Sequence, residues 1–263
     1  MANATREQRS ARLAVLIDAE NTSSEVAEGL FAEIAAIGEA SVRRIYGDFS
    51  GPRLKRWVDK LSALAIMPHQ NFAYTTGKNA SDIALVIDAM DLLHSGRFDG
   101  FCLVSSDSDF TRLAARIREE GIDVFGFGQK KTPESFRQAC RRFVYTENLL
   151  PGVADSGPAA PSEVAPATEA KPPSAAVPLI RKAIGQLEES ADGWVHLSQV
   201  GGLLTNLETD FDPRNYGQTK LVYLIERAGA FDVDRAEGGA VRIREKRPPK
   251  ATTPQARSKR DAK

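Results

Sequence analysis

At 263 residues with 42% hydrophobic content, the chain carries enough apolar material for one large domain or two smaller ones. Its 35 Lys and Arg balance 35 Asp and Glu, so no global charge draws it to an oppositely charged partner. No apolar run approaches the roughly 20 residues that cross a bilayer, and the polar start "MANATREQRSAR" lacks the apolar core of a signal peptide. The expectation is a cytoplasmic protein without membrane contact. Cys102 and Cys140 show neither C-x-x-C spacing nor histidines at zinc spacing, so free thiols are expected.

In chain order, "LAVLID" (13–18) reads as a strand that feeds a helix. Thr22 and Glu25 form its capping box, and Val26, Leu30, Ile34 and Ile37 form its buried stripe. "SVRRIY" and "AIMPHQNFAY" are further strands; Asp48 in "YGDF" follows the first of them, either joining the strand-end rim or forming a turn. The stretch "NASDIALVIDAMDLLHSG" is a helix. At 100° per residue, Ile83, Leu85, Val86, Ile87, Met90 and Leu93 cover an arc that includes Asp82 and leaves out Asp88 and Asp91. "FDGFCLVSS" and "GIDVFGFG" are clearer strands on either side of a helix over 110–120. This alternation predicts an α/β fold: three α/β/α layers around a mostly parallel sheet.

Ligands of such sheets collect outside the carboxyl ends of the strands, near the point where strand order reverses. Asp18 ends the first strand, and Asp107 and Asp109 follow the fourth, so they and the first-turn Asp82 are all assigned to one rim. Asp82 and Asp109, each taken alone, also read as helix N-terminal residues favoured by capping and the helix dipole. Four carboxylates together repel unless a cation lies among them. Oxygen-only donors suit Mg²⁺ or Mn²⁺ rather than zinc, and such ions serve phosphodiester cleavage.

"LIDAEN", "YGDF", "GKNASDIALVIDAMDLL", "VSSDSDF" and "FRQACRRFVYTENL", in this order and spacing, resemble the NYN domain, a branch of the PIN-like nucleases, over about residues 11–150. That resemblance implies metal-dependent ribonuclease activity. It puts Asp18, Asp82, Asp107 and Asp109 at the acidic catalytic and metal positions, and Asn21 at an asparagine that shapes the pocket. Some members of the family are thought to have lost the activity.

Lys78 and Asn79, just before the Asp82 helix, stand either at a scissile phosphate or in a solvated loop. Ser105 and Ser106 read as turn formers, and His69, His94 and His196 are scattered without a role. Arg137, Arg141 and Arg142 form either a phosphate strip or a solvated helix face. "GFGQKK" lacks the full G-x-G-x-x-G and follows the fifth strand, which disfavours a dinucleotide fold.

Residues 151–178 hold seven of the chain's 14 prolines and few large apolar side chains; a disordered Pro/Ala-rich linker is expected over 151–175. Beyond it, Val177, Ile180, Ile184 and Leu187 mark a helix. "GWVHLSQVGGLL" adds a strand-like entry and a helix capped by Ser198, and "FDPRNYGQTKLVYLIERAG" a turn and a third helix. "FDVD" and "AVRIRE" flank a hairpin turn, which completes a small winged helix-turn-helix over 176–245. Lys220, Arg227, Arg242 and Arg244 are its candidate phosphate contacts, while Tyr216, Tyr223 and Phe231 read as core or turn residues. This segment resembles the OST-HTH/LOTUS domain, which implies RNA binding and, in some members, a protein partner. Residues 241–263 hold nine Lys and Arg against Glu245 and Asp261, with a basic disordered tail expected over 246–263. The combined expectation is an endoribonuclease flexibly linked to an RNA-binding module; the alternative is a non-catalytic RNA-binding or scaffold protein that keeps the PIN-like fold. Oligomeric state is not legible.

Overall fold

Every second residue of the first strand belongs to a different core. In the computed structural model, which describes residues 10–72, 80–151, 170–187, 192–235 and 240–246, Leu13, Val15 and Ile17 of β1 (Arg12–Asp18) face one apolar layer, and Ala14 and Leu16 the other. A strand buried on both faces is central, and β1 lies in the middle of its sheet. After β1 come α1 (Ala27–Ile37), β2 (Glu39–Gly47), α2 (Lys55–Leu61), β3 (Met67–Gln70), α3 (Ala80–His94), β4 (Gly100–Val104), α4 (Thr111–Glu119), β5 (Asp123–Gly128), α5 (Glu134–Ala139) and β6 (Arg142–Tyr145). The order across the sheet is β3-β2-β1-β4-β5-β6, with every pair parallel. Strand order reverses between β1 and β4, so their carboxyl ends open the crevice in which such sheets bind ligands. Leu30 and Ile34 of α1 and Trp57 of α2 cover one face; Leu85 and Ala89 of α3, Ile117 of α4 and Phe136 of α5 cover the other. No helix among the described residues is long and apolar enough to cross a membrane.

Two local expectations are corrected. The cap ahead of α1 is Ser23, whose Oγ accepts the Glu25 N–H at 3.3 Å within a 3-10 turn; Thr22 turns inward and donates to Val104 O across the sheet. The buried stripe of α3 is Ser81, Leu85, Ala89 and Leu92, with Leu93 beside it, whereas Ile83 and Ile87 are 61% and 56% exposed. The helix is apolar around most of its girth, and packing on the sheet selects a face that an arc of apolar residues alone does not reveal. Asp88, expected outside, is half-buried and accepts from Arg44 Nη1 at 2.8 Å and Tyr46 Oη at 2.7 Å, with His69 Nδ1 3.2 Å away.

The C-terminal unit consists of α6 (Val177–Ile184), β7 (Val195–His196), α7 (Leu197–Leu207), α8 (Leu221–Ala228), β8 (Phe231–Asp234) and β9 (Arg242–Glu245). Its antiparallel sheet, ordered β7-β9-β8, and three helices enclose Ile180, Val200, Leu204, Leu224, Phe231 and Ile243. Tyr216 and Phe231 are buried and Tyr223 half-buried, as expected of core and turn residues. Ser198 does not cap α7: the helix starts at Leu197, whose N–H donates to Val241 O, so the neighbouring wing satisfies that amide. Of the expected linker, residues 152–169 lie outside the described residues. Lys171 N–H already donates to Asn215 O, and a 3-10 turn over Pro173–Ala176 leads into α6. Of the expected tail, only Lys246 is among the described residues.

A freely swinging second unit is not what the contacts describe. The N–H of Phe143 on edge strand β6 donates to Thr209 O at 2.7 Å, and Thr209 Oγ1 donates to Arg137 O at 3.0 Å. Arg137 and Tyr145 both reach Asp210, and Asn148 Nδ2 donates to Asn215 Oδ1 at 2.8 Å. Glu33 on α1 joins Arg142 at 2.8 Å and Arg214 at 3.0 Å. Of the two readings given for Arg137, Arg141 and Arg142, a solvated helix face fails for Arg137 and Arg142, which are taken up in these pairs, while the largely exposed Arg141 pairs with Asp123.

Candidate active site

Asp18 closes β1 with a side chain 1% exposed, and a buried carboxylate needs donors on every side. Its Oδ1 accepts the N–H groups of Glu20 and Asn21 at 3.0 and 3.2 Å; its Oδ2 accepts Asn21 Nδ2 at 2.8 Å and Ser105 Oγ at 2.7 Å. Residues 18–21 thus form a turn wrapped around the carboxylate, and the fourth donor comes from the end of the neighbouring strand. Ser105 Oγ in turn accepts Asp107 N–H at 3.1 Å, which ties the two aspartates through one hydroxyl. Asp107 Oδ1 accepts Asp109 N–H at 2.9 Å and so caps the 3-10 turn that enters α4.

Ser105 can approach because position 128 is glycine. A Cβ there would stand 2.5 Å from Ser105 O and 2.7 Å from Thr132 Oγ1. Ser106 Oγ accepts Gln129 N–H at 2.8 Å and fastens the loop after β4 to the loop after β5.

Asp82, in the first turn of α3, is half-buried. Burial pushes its carboxyl up to about 6, and the charges of Asp18, Asp107, Glu20 and Asp109 push in the same direction. Asp18, Asp107, Asp109 and Glu20 thus all lie near enough to Asp82 for their charges to be felt there. Asp48 is not among them; its Oδ1 accepts from Ser50 N, Ser50 Oγ and Gln70 Nε2 in the turn after β2. Lys78 and Asn79 lie outside the described residues. Sequence reasoning passed over Glu20, although it stands two residues beyond Asp18, and read Ser105 as a turn former. The signal for Ser105 was the need of a buried aspartate for a donor that its own loop does not supply.

The donor set is hard oxygen throughout, so its chemistry fits Mg²⁺ or Mn²⁺. Among the described residues, no three His, Cys, Asp or Glu side chains are already drawn together as a metal-holding group.

Residues 12–149, just over half the chain, match the profile of the NYN domain. The chain belongs to the NYN domain family. The NYN domain is part of the PIN-like nuclease superfamily, and its α/β/α architecture is the one described above. Residues 171–243 match the OST-HTH/LOTUS domain. A solved structure of a Vibrio parahaemolyticus protein of unknown function is 19% identical, with a TM-score of 0.46, and the match covers 55% of this chain and 98% of that one. A search of curated proteins gave no match.

In the OST-HTH/LOTUS domain, Lys220 and Arg227 stand exposed at the two ends of α8. Arg242 and Arg244 on β9 are half-buried, pair across the hairpin with Asp234 at 2.5 Å and Asp232 at 3.2 Å, and stack over Trp194.

Proposed function

We propose that the chain is a metal-dependent endoribonuclease whose C-terminal domain holds RNA. The observation that carries this reading is the Asp18–Ser105–Asp107 link, with Asp107 in turn holding the Asp109 N–H, at the strand ends of a PIN-like fold. Asp18, Asp82, Asp107 and Asp109 would hold Mg²⁺ or Mn²⁺, which when bound supplies charge neutralisation at the phosphate and lowers the pKa of a bound water. Asn21 and Ser105 orient the Asp18 carboxylate through the hydrogen bonds they donate to it. Asp107 combines a ligand position with a structural one, since its other task is to hold the turn that presents Asp109. Lys220 and Arg227 contact RNA phosphates; Arg242 and Arg244 do so by trading their aspartate partners for them. Lys78 and Asn79 are assigned to the scissile phosphate.

The spread of the carboxylates favours a second reading, a non-catalytic RNA-binding or scaffold protein. Labelled RNA incubated with Mg²⁺ or Mn²⁺ separates the two. Cleavage that EDTA abolishes and Asp107→Asn removes supports the nuclease, and RNA binding without turnover supports the scaffold.

A further inference from the structure

A second cavity opens beside the acidic rim. It has a volume of about 420 Å³, within the roughly 300–1,000 Å³ of small-ligand sites. Its floor is fixed: Trp57 is 2% exposed, and its Nε1 donates to Thr22 O at 2.9 Å. Its edge carries three exposed cations, Arg53, Arg56 and Lys131, against one carboxylate, Glu20, with the neutral side chains of Asn21 and Gln129. Arg56 pairs with Glu25 at 3.0 Å, but both side chains are largely exposed, and such a pair yields readily to a phosphate. Arg53 Nη2 lies 3.5 Å from Glu20 O.

Two lining residues tie the cavity to the rim. Asn21, which lines it, donates its side-chain amide to Asp18, and Gln129 is fastened by its N–H to Ser106 of the β4 loop. A negatively charged centre thus borders a polar cleft rich in cations. A single phosphodiester has no use for that arrangement, whereas a strand with phosphates on both sides of the scissile bond does.

Resting on the nuclease reading, we propose that this cleft takes the sugar-phosphate next to the scissile one in an unpaired RNA strand. Arg53 and Lys131 bind its phosphate, and Gln129 supplies a neutral hydrogen-bonding partner. Occupation of the cleft places the cut inside a strand rather than at its end.

The chain has two tryptophans, Trp57 in the cleft floor and Trp194 in the C-terminal domain, so each reports on one RNA site. The test is fluorine NMR of the full chain labelled with 5-fluorotryptophan, titrated with a single-stranded RNA pentamer in EDTA at low salt. The Trp57 resonance is expected to shift saturably. In the Arg53→Ala/Lys131→Ala variant its apparent Kd should rise at least fivefold, and the salt slope should fall by about one for each phosphate-binding cation removed. The Trp194 titration is expected to stay unchanged, and a Trp57 resonance at its wild-type position in the RNA-free spectrum shows that the mutated domain is folded. A Trp57 signal that does not move, or a double variant that titrates like wild type, overturns the cleft assignment. Cleavage by wild type in Mg²⁺ is measured in parallel. A protein that titrates at Trp57 without cutting keeps the cleft and loses the nuclease reading; one that cuts with Trp57 unmoved does the reverse.

Discussion

At the scale of single residues, the site is a problem of crowded charge, and proton uptake is the readout. Asp82 has a folded pKa of about 6 against an ordinary 3.8, so folding raises its affinity for a proton. Its contribution to stability is fully present below about pH 4 and is lost as pH rises through 6, where it ionises among its neighbours. Solvent screening of this half-buried group leaves about 1–2 kcal/mol. In EDTA at pH 7.5, Asp82→Asn should therefore raise the melting temperature, with the gain vanishing near pH 4; a pH-independent change would show that the charges do not meet. In Mg²⁺ the sign reverses, because the wild type gains stability from a bound ion that the variant binds poorly. Asp107→Asn and Asp109→Asn should keep the fold and lower kcat by about 100-fold or more, the scale on which one charge-stabilising group acts. A single-turnover assay with either variant near wild-type rate would remove these residues from the centre. Asp18, Asp107 and Asp109 were legible in the sequence because a strand end is a place that alternation can locate. The link between them was not, since Ser105 meets Asp18 only through the β1–β4 register.

At the scale of elements, the rim depends on how closely the ends of β4 and β5 approach. Gly128→Ala places a Cβ against the Ser105 carbonyl, a backbone atom that cannot swing aside. The expected cost is about 2 kcal/mol or more by denaturant melt, together with reduced cleavage, because the displaced loop carries both Ser105 and Asp107. Ser105→Ala tests the same loop without steric change. It removes one donor from the buried Asp18, at a cost of about 1–3 kcal/mol. If melts show Gly128→Ala to be the milder of the two, loop spacing is not the constraint. The alternation of strands and helices and the mostly parallel sheet were readable from the apolar runs, but the strand order, α2 and the rotation of α3 were not. Ile83 and Ile87 are as apolar as Leu85, and the sheet surface alone decides which of them it buries. Asp82 nevertheless reached the rim, because its place in the first turn depends on where the helix starts and only weakly on its rotation.

At the scale of the molecule, the sequence suggested a tether, and the contacts describe a fastening made of polar groups. Arg137, Asp210, Glu33 and Arg214 have no apolar periodicity to mark them, and their partners across the joint lie more than sixty residues away along the chain, so no local pattern announces it. The fastening also covers β6, an edge strand that would otherwise present unpaired backbone groups, through the Phe143–Thr209 hydrogen bond. A docked RNA-binding domain delivers substrate from a fixed direction, whereas a tethered one only raises its local concentration. The two arrangements make different cleavage patterns. Asp210→Ala combined with Arg214→Ala removes both of these ion pairs across the joint; Arg137 loses its carboxylate and the buried Asp212 loses Arg214, while Glu33 keeps Arg142, and the loss should favour release of the joint by a few kcal/mol. Small-angle scattering should then show a larger radius of gyration while each domain keeps its circular dichroism. On a long RNA with one strong site for the C-terminal domain, wild type should cut within a narrow window from that site, and the released variant should spread its cuts with little change in total rate. A pentamer, too short to engage both domains, should be cut equally by the two proteins. Unchanged scattering would mean that other contacts hold the joint, and an unchanged window despite a larger radius would mean that the joint does not set the direction from which RNA arrives.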